Sequence, residues 1–329
     1  MIRLRPKRPK FASFFSGVGM FDLGFVRAGW EPVFACEIGE FPRRVYEERF
    51  GRRMEAEDIN KVEEVPDAKA WIGGFPCQDI SSAGKRKGIG ASRSGLVWRF
   101  LELWDHHPEV EWLVLENVRG LLTGRSPRTH EAGRDLGETA EDSSWMGQLL
   151  GALADRGLRW AYRLLDAQYF GVPQSRPRVF IVARRSGVGP GPREILFDRD
   201  DRSSAPPKQV GAKLPPGVAY CLNTLAPWAQ TGYTPFTVIR EAAGDSRCLS
   251  AKNPRDQFSD RVTFVGEDSG RLRFLTPVEC ERLQGLPDDW TNIEGATDEK
   301  RYHAIGNGGA VPVLEWIARR IREVEFGLR

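Results

Sequence analysis

The sequence predicts an α/β protein: a doubly wound, mainly parallel sheet with a smaller, irregular second domain. Three observations predict it. Short apolar runs alternate with amphipathic segments over the first half of the chain, the pattern of strands joined by crossover helices. Those runs end in glycine or in an acidic residue, as they do where ligands bind beyond the carboxyl ends of parallel strands. At Arg184 the composition changes, and residues 187–217 are rich in Gly and Pro with little periodicity. The expected organisation is a catalytic and ligand-binding domain over 1–184, a second domain over 185–268, and a C-terminal segment, 269–329, that returns to the first domain.

The elements follow in order. Phe11–Phe15 is a strand that ends in Ser16-Gly17-Val18-Gly19, and Met20–Ala28 is a helix closed by Gly29. Val33–Cys36 is the second strand, with Glu37 at its end, and Phe41–Phe50 is helical. A turn carries Glu57-Asp58-Ile59-Asn60. Ala70-Trp71-Ile72 is a buried strand, ended by Gly73-Gly74 and followed by Phe75-Pro76-Cys77-Gln78. Ser94–Trp104 reads as a helix and Trp112–Leu115 as a strand ending in Glu116-Asn117-Val118. Residues 123–144 read as a long polar loop, Trp145–Ala154 as a helix, and Trp160–Leu165 and Val179–Ala183 as strands flanking Gln174-Ser175-Arg176-Pro177-Arg178. Thr276 caps a helix to Gln284 with Pro277 at its first position, and Pro312–Val324 is the last helix.

Composition narrows the function. Charged residues make up 28% and apolar residues 40% of 329 positions, and no apolar run approaches the ~20 residues of a membrane helix. The charged N-terminus lacks the apolar core of a signal peptide, so a cytoplasmic protein is expected. Five widely spaced cysteines without a Cys-x-x-Cys, and only four histidines, argue against a disulfide framework and against any metal site. A net charge of +3 is too mild to imply nucleic acid by itself; the local clusters at the N-terminus, at Lys85-Arg86-Lys87 and at Arg176/Arg178 say more.

Two stretches carry chemistry. The glycine turn after the first strand lets a ligand approach the backbone, and Glu37 at the end of the second strand is placed to hold ribose hydroxyls. Position 22 is Asp where a dinucleotide fingerprint has its third glycine, which favours a nucleoside ligand without a pyrophosphate. Cys77 ends a strand and opens a cationic loop, where nearby positive charge favours the reactive thiolate. Taken alone, this is equally a strand-end turn with a half-buried thiol.

Taken together, these residues resemble the cytosine-5 DNA methyltransferases that use S-adenosylmethionine. The resemblance runs in family order through Phe15-Ser16-Gly17-Val18-Gly19, Cys36-Glu37, Asp58-Ile59, Pro76-Cys77-Gln78, Arg93-Ser94-Gly95-Leu96, Glu116-Asn117-Val118, Gln174-x-Arg176-x-Arg178, the stretch from Leu275 to Pro287, and Gly306-Asn307. It implies the Rossmann-like methyltransferase fold and a target-recognition role for 185–268. By similarity Cys77 is the nucleophile that adds to carbon 6 of a flipped cytosine, Glu116 acts at ring nitrogen 3 with Asn117 fixing it, and Arg176 and Arg178 contact the cytosine and order the site. The resemblance assigns the cofactor to Phe15, Gly17, Val18, Gly19, Met20, Glu37, Ile38, Asp58, Ile59, Pro76, Leu96 and Asn307, with S-adenosylhomocysteine as product. It assigns duplex DNA to Gln78, Ser81, Lys85, Arg86, Arg93, Thr224 and Leu225, through a loop that closes over a rotated-out base. Gly308 stands where many relatives have serine. Cys36 and Cys280 are expected to be core thiols. A monomer is the expected state, compatible with a separately acting restriction endonuclease.

Other readings explain less. A hydride-transferring oxidoreductase shares the first turn but not Pro76-Cys77, Glu116-Asn117 and the paired arginines. A zinc deaminase needs His-x-Glu and Cys-x-x-Cys, and exocyclic-amine methyltransferases carry an Asp/Asn-Pro-Pro-aromatic motif in place of Phe75-Pro76-Cys77-Gln78. The same chemistry on RNA and a silent DNA binder are the remaining alternatives.

Overall fold

Every side chain of β1 (Lys10–Phe14) from Phe11 to Phe14 is buried, the condition of a strand covered on both faces. In the computed structural model, residues 8–76, 95–123, 144–187, 189–197, 237–240, 246–247, 263–266 and 272–327 are described. β1 pairs in parallel with β2 (Glu31–Cys36) and with β3 (Ala70–Gly74). β3 pairs in parallel with β4 (Trp112–Val118), and β7 (Pro177–Arg185) runs antiparallel between β4 and β5 (Leu158–Asp166). The six-stranded order is β2-β1-β3-β4-β7-β5, a mainly parallel sheet with one reversed strand.

Helices cover both faces. α1 (Met20–Arg27) and α8 (Val311–Phe326) pack together on one, with α2 (Glu40–Phe50) beside them. α3 (Leu96–Asp105) and α4 (Trp145–Asp155) cover the other, where Phe14, Trp71, Phe100 and Trp104 form a chain of tilted and edge-on rings. Burying each such ring contributes about 1.5–3 kcal/mol. α8 packs against the first half of the chain: the Trp30 Nε1 donates to the Ala318 carbonyl at 3.0 Å.

Most element boundaries match the sequence reading, and three differences have physical causes. β4 extends through Glu116, Asn117 and Val118 because β7 pairs with all three; Glu116 therefore lies within the strand, not beyond it. A second C-terminal helix, α7 (Asp298–Asn307), follows α6 (Pro277–Gln284). Its apolar residues are too few to give a periodic pattern, and Thr297 caps it by accepting from the Lys300 amide at 3.3 Å. β6 (Gln174–Ser175) leaves the main sheet to pair with β9 (Ser246–Arg247). α6 has the expected start: Thr276 and Glu279 form a reciprocal capping box with Pro277 at the first turn.

Past the short α5 (Arg193–Leu196), the described elements up to residue 268 are β8 (Thr237–Arg240), β9 and β10 (Thr263–Gly266). β10 pairs with β8 in parallel and with β11 (Leu272–Phe274) antiparallel. The long loop expected over 123–144 falls almost wholly outside the described residues.

Candidate active site

The strand register aligns the carboxyl edge of the sheet. Phe14 is level with Cys36 on one side and with Gly73 on the other, and Gly74 is level with Glu116. The turn after β1, the residue after β2, the exit of β3 and the end of β4 therefore share one edge.

The turn is built on backbone that few side chains tolerate. Phe15 has φ 55°, Gly17 φ 55° and Gly19 φ 82°; the left-handed region costs a residue with a Cβ about 1–2 kcal/mol. Gly19 also lies against Tyr46 and Phe50, so any side chain there would overlap those rings. Gly17 is open: a Cβ there would meet nothing within 4 Å. The Gly17 amide donates to Glu37 Oε2 at 2.9 Å, and the Gly39 amide donates to Oε1 at 2.7 Å. Each carboxylate oxygen keeps a lone pair for a further donor. Ile38, next in the chain, is 72% exposed at this edge.

Not every assigned cofactor residue presents a side chain here. Val18, Met20 and Ile59 are buried in the core, so only their backbone is available to a ligand. Asp58 caps a single 3-10 turn, accepting from the Asn60 amide at 2.9 Å. Pro76 and Leu96 are half-buried. Asn307 is exposed at the end of α7, 3.3 Å from the His303 ring nitrogen.

Glu116 is the chemically distinctive group. It is buried, and desolvation raises its carboxyl above the usual carboxylate range, opposed by the Arg178 and then the Arg176 guanidinium. Arg178 Nε lies 3.1 Å from Glu116 Oε1. The sheet explains the pair: Phe180 is opposite Glu116 across β4 and β7, which puts Arg178 on the diagonal two residues along. Room for the carboxylate comes from Gly74, where a Cβ would sit 3.1 Å from Glu116 Oε2. Asn117 does not fix Glu116 as expected. Its amide donates to the Phe75 carbonyl at 3.2 Å and its oxygen accepts from the Val118 amide at 2.8 Å, so it secures the exit of β3 just ahead of Pro76 and Cys77.

Arg176 is buried, and its guanidinium donates to the Gly306 carbonyl at 2.8 Å and to the Gly308 carbonyl at 2.7 Å. It thereby grips the chain on both sides of Asn307. Gly308 in turn lies against Met20, whose sulfur a serine Cβ would overlap. Cys36 and Cys280 are core thiols, as expected. Burial, then neighbouring carboxylates, pushes each up to about 12, which disqualifies both as thiolate nucleophiles. Cys77, Gln78, Ser81, Lys85, Arg86, Arg93, Thr224 and Leu225 lie outside the described residues. Among the described residues, no group of acidic, His and Cys side chains is arranged to hold a metal ion, and no helix is long and apolar enough to cross a membrane.

Sequence reasoning missed the residues that hold the turn from beneath. Asp22 is fully buried and accepts from the Ser13 hydroxyl at 2.8 Å and the Tyr46 hydroxyl at 3.0 Å. From the far end of the chain, Trp290 Nε1 donates to the Val18 carbonyl at 2.8 Å. The only signal was an Asp among apolar residues in the first turn of α1.

Comparison with known proteins decides the family. The model of the C-5 cytosine-specific DNA methylases matches residues 9–213 and 200–323. The chain belongs to that family. Type II methyltransferase M2.BsuMI of Bacillus subtilis (strain 168) is 30% identical over 325 residues, covering 95% of this chain and 75% of the relative. Type II methyltransferase M.Bsp6I of Bacillus sp. (strain RFL6) is 30% identical over 333 residues, covering 95% and 98%. Among solved structures, the S. pombe Dnmt2 methyltransferase superposes with a TM-score of 0.69 at 18% identity, covering 97% of this chain and 100% of that one. That likeness establishes the shared Rossmann-like methyltransferase fold. As a cytosine-5 DNA methyltransferase the chain carries out methyl transfer of the S-adenosylmethionine-dependent kind.

Proposed function

We propose that the carboxyl edge of the sheet is the methyl-transfer site, that Cys77 is the nucleophile, and that duplex DNA is bound by the segments on either side of it. One observation carries this reading. A buried carboxyl, Glu116, is held above its usual range beside Arg178, level with the strand exit that leads through Pro76 to Cys77.

S-adenosylmethionine supplies an electrophilic methyl group when bound. The open turn at Gly17, the Glu37 carboxylate and the exposed Ile38 fit an adenosine: backbone, hydroxyl acceptor and apolar surface, with no pyrophosphate cradle required. Phe15, Val18, Gly19, Met20, Asp58, Ile59, Pro76, Leu96 and Asn307 complete our assignment, several through backbone alone.

Carbon 5 of cytosine is a weak nucleophile. The Cys77 thiolate adds to carbon 6, forming the S–C6 bond and an enamine whose carbon 5 takes the methyl group. Glu116 drains charge at ring nitrogen 3 during that addition, which needs a carboxyl that keeps its proton above the ordinary range. Arg178 orients Glu116 and the base, and Arg176 fixes the Asn307 segment. The carbon 5 proton then leaves to a base, the electrons of that C–H bond re-form the C5–C6 double bond, the S–C6 bond breaks and the Cys77 thiolate is restored. In this reading residues 185–268, with Thr224 and Leu225, read the target sequence, while Gln78, Ser81, Lys85, Arg86 and Arg93 follow the DNA backbone, which makes binding salt-dependent.

Bisulfite sequencing of plasmid DNA from cells that express the protein tests the activity, with Cys77→Ala beside it. Protection of cytosines in one short context, lost in the variant, is expected. No protection from soluble, folded protein would turn attention to RNA substrates.

A further inference from the structure

We propose that ionised Asp22 is a positioning residue for the cofactor: it sets the direction of a buried hydroxyl relay that holds the 15–19 turn in its binding shape. The proposal rests on the assignment of that turn to S-adenosylmethionine.

The relay is short and fully buried. Ser16 Oγ donates to Ser13 Oγ at 2.9 Å, and Ser13 Oγ donates to Asp22 Oδ2 at 2.8 Å. The Tyr46 hydroxyl donates to Asp22 Oδ1 at 3.0 Å. Ser16 is the residue that ties the turn to its neighbours. Its amide donates to the Cys36 carbonyl at 3.0 Å, its Oγ accepts from the Cys36 amide at 3.3 Å, and its carbonyl accepts from the Gly19 amide at 2.9 Å. Cys36 is followed by Glu37, so the relay reaches both sides of the adenosine site.

A carboxylate accepts at both oxygens and donates at neither. While Asp22 is ionised, both neighbouring hydroxyls point toward it and Ser16 points toward Ser13. A protonated Asp22 must donate at one oxygen, so either Ser13 reverses and turns on Ser16, whose hydroxyl is displaced onto the Ser13 carbonyl 3.2 Å away, or the Tyr46 bond is lost. A carboxylate buried on neutral hydroxyl donors is costly in a core position that an apolar residue could fill. The groups facing it are Ser13 on β1, Tyr46 on α2 and, through charge alone, Arg52 just past α2. Burial lifts Asp22 to about 6 against those hydrogen bonds, which brings the switch into a range where binding is measurable.

Calorimetric titration of the full chain with S-adenosylhomocysteine from pH 5 to 8, with thermal melting in parallel, tests this. Wild-type affinity is expected to fall about tenfold as pH drops through 6. Asp22→Asn is expected to bind about tenfold more weakly at pH 7.5, with a flat profile across the window. Melting has the opposite sign. A carboxyl raised from 3.8 to about 6 on folding contributes stability that is fully present below 3.8 and is lost as pH rises through 6, so a merely structural Asp22 cannot mimic the binding profile. Tyr46→Phe, which removes one donor, is expected to move the acid limb of binding to higher pH. Wild-type-like affinity and pH profile in Asp22→Asn, or no shift in Tyr46→Phe should Asp22→Asn not fold, overturns the proposal. Glu37→Gln separates the layers: retained affinity there removes the turn as cofactor site, whereas loss in Glu37→Gln without loss in Asp22→Asn removes only the relay.

Discussion

The two edges of the central sheet carry the same residue types and use them in opposite ways. At the amino edge, Lys69, Glu111, Arg184 and Glu325 form a closed network over Trp112. Arg184 lies 3.1 Å from Glu111 and 2.7 Å from Glu325, stacks 4.5 Å over the indole, and Lys69 pairs with both acids. Glu111 is burdened by desolvation, but Lys69 and Arg184 outweigh it and hold the carboxyl below its usual range. At the carboxyl edge, Glu116 and Asp22 are both raised by burial, and their partners only partly offset it. Matched charges lock one edge. Under-compensated carboxyls at the other hold their protons further up the pH scale, which is what the proposed chemistry there requires.

Glu116→Gln is the sharpest way to break the comparison. It keeps the shape and removes the titratable proton, so kcat is expected to fall about 10²–10⁴-fold in a methyl-transfer assay. The pH profile checks the cause. A carboxyl raised on folding holds its proton further up the pH scale, so the step that uses that proton is lost as pH rises through the raised value, and Glu116→Gln loses that limb. The same shift gives a stability contribution present below the ordinary carboxylate range and lost as pH rises.

Arg184→Met breaks the other edge. Two acids lose a shared buried cation, and unfolding free energy is expected to fall by about 3–5 kcal/mol in urea titration. Here the sign reverses: Glu111 is lowered, so its contribution is present at neutral pH and lost on acidification. The gap between wild type and variant should therefore narrow in acid because wild type loses stability there, whereas relative to Glu116→Gln wild type should lose stability as pH rises.

Gly308→Ser forces Met20 to move. A cost of about 1–3 kcal/mol is expected for that crowding, read as a raised KM for S-adenosylmethionine and relieved by Met20→Ala. The smallest effect is expected from Trp290→Phe. It deletes one hydrogen bond to the Val18 carbonyl, worth about 1 kcal/mol, and should appear as a modest loss of cofactor affinity.

How much of this was legible in the sequence depends on range. β1 to β4 and the cap of α6 are local patterns, and the positions of Gly17 and Glu37 just past their strands follow from them. The Glu116–Arg178 pair was not legible, because it needs the reversed β7 and its register against β4. Nor was the Arg176 grip on Gly306 and Gly308, which joins segments 130 residues apart. Asn117 was misread for the same reason: its partner is the Phe75 carbonyl on a neighbouring strand exit, not the carboxylate next to it in the chain. Asp22 looked like a missing glycine because sequence spacing carries no information on what lies beneath a turn.

A duplex carrying 5-fluorocytosine at the target position tests the central claim most directly. Fluorine cannot leave carbon 5 as a cation, so the S–C6 bond persists once the methyl group has moved. Incubated with S-adenosylmethionine, the protein is expected to gain the mass of the methylated oligonucleotide strand, with the adduct on the peptide that contains Cys77 and none in Cys77→Ala. An adduct on Cys221 or Cys248, or no adduct from protein that protects plasmid cytosines, would contradict it.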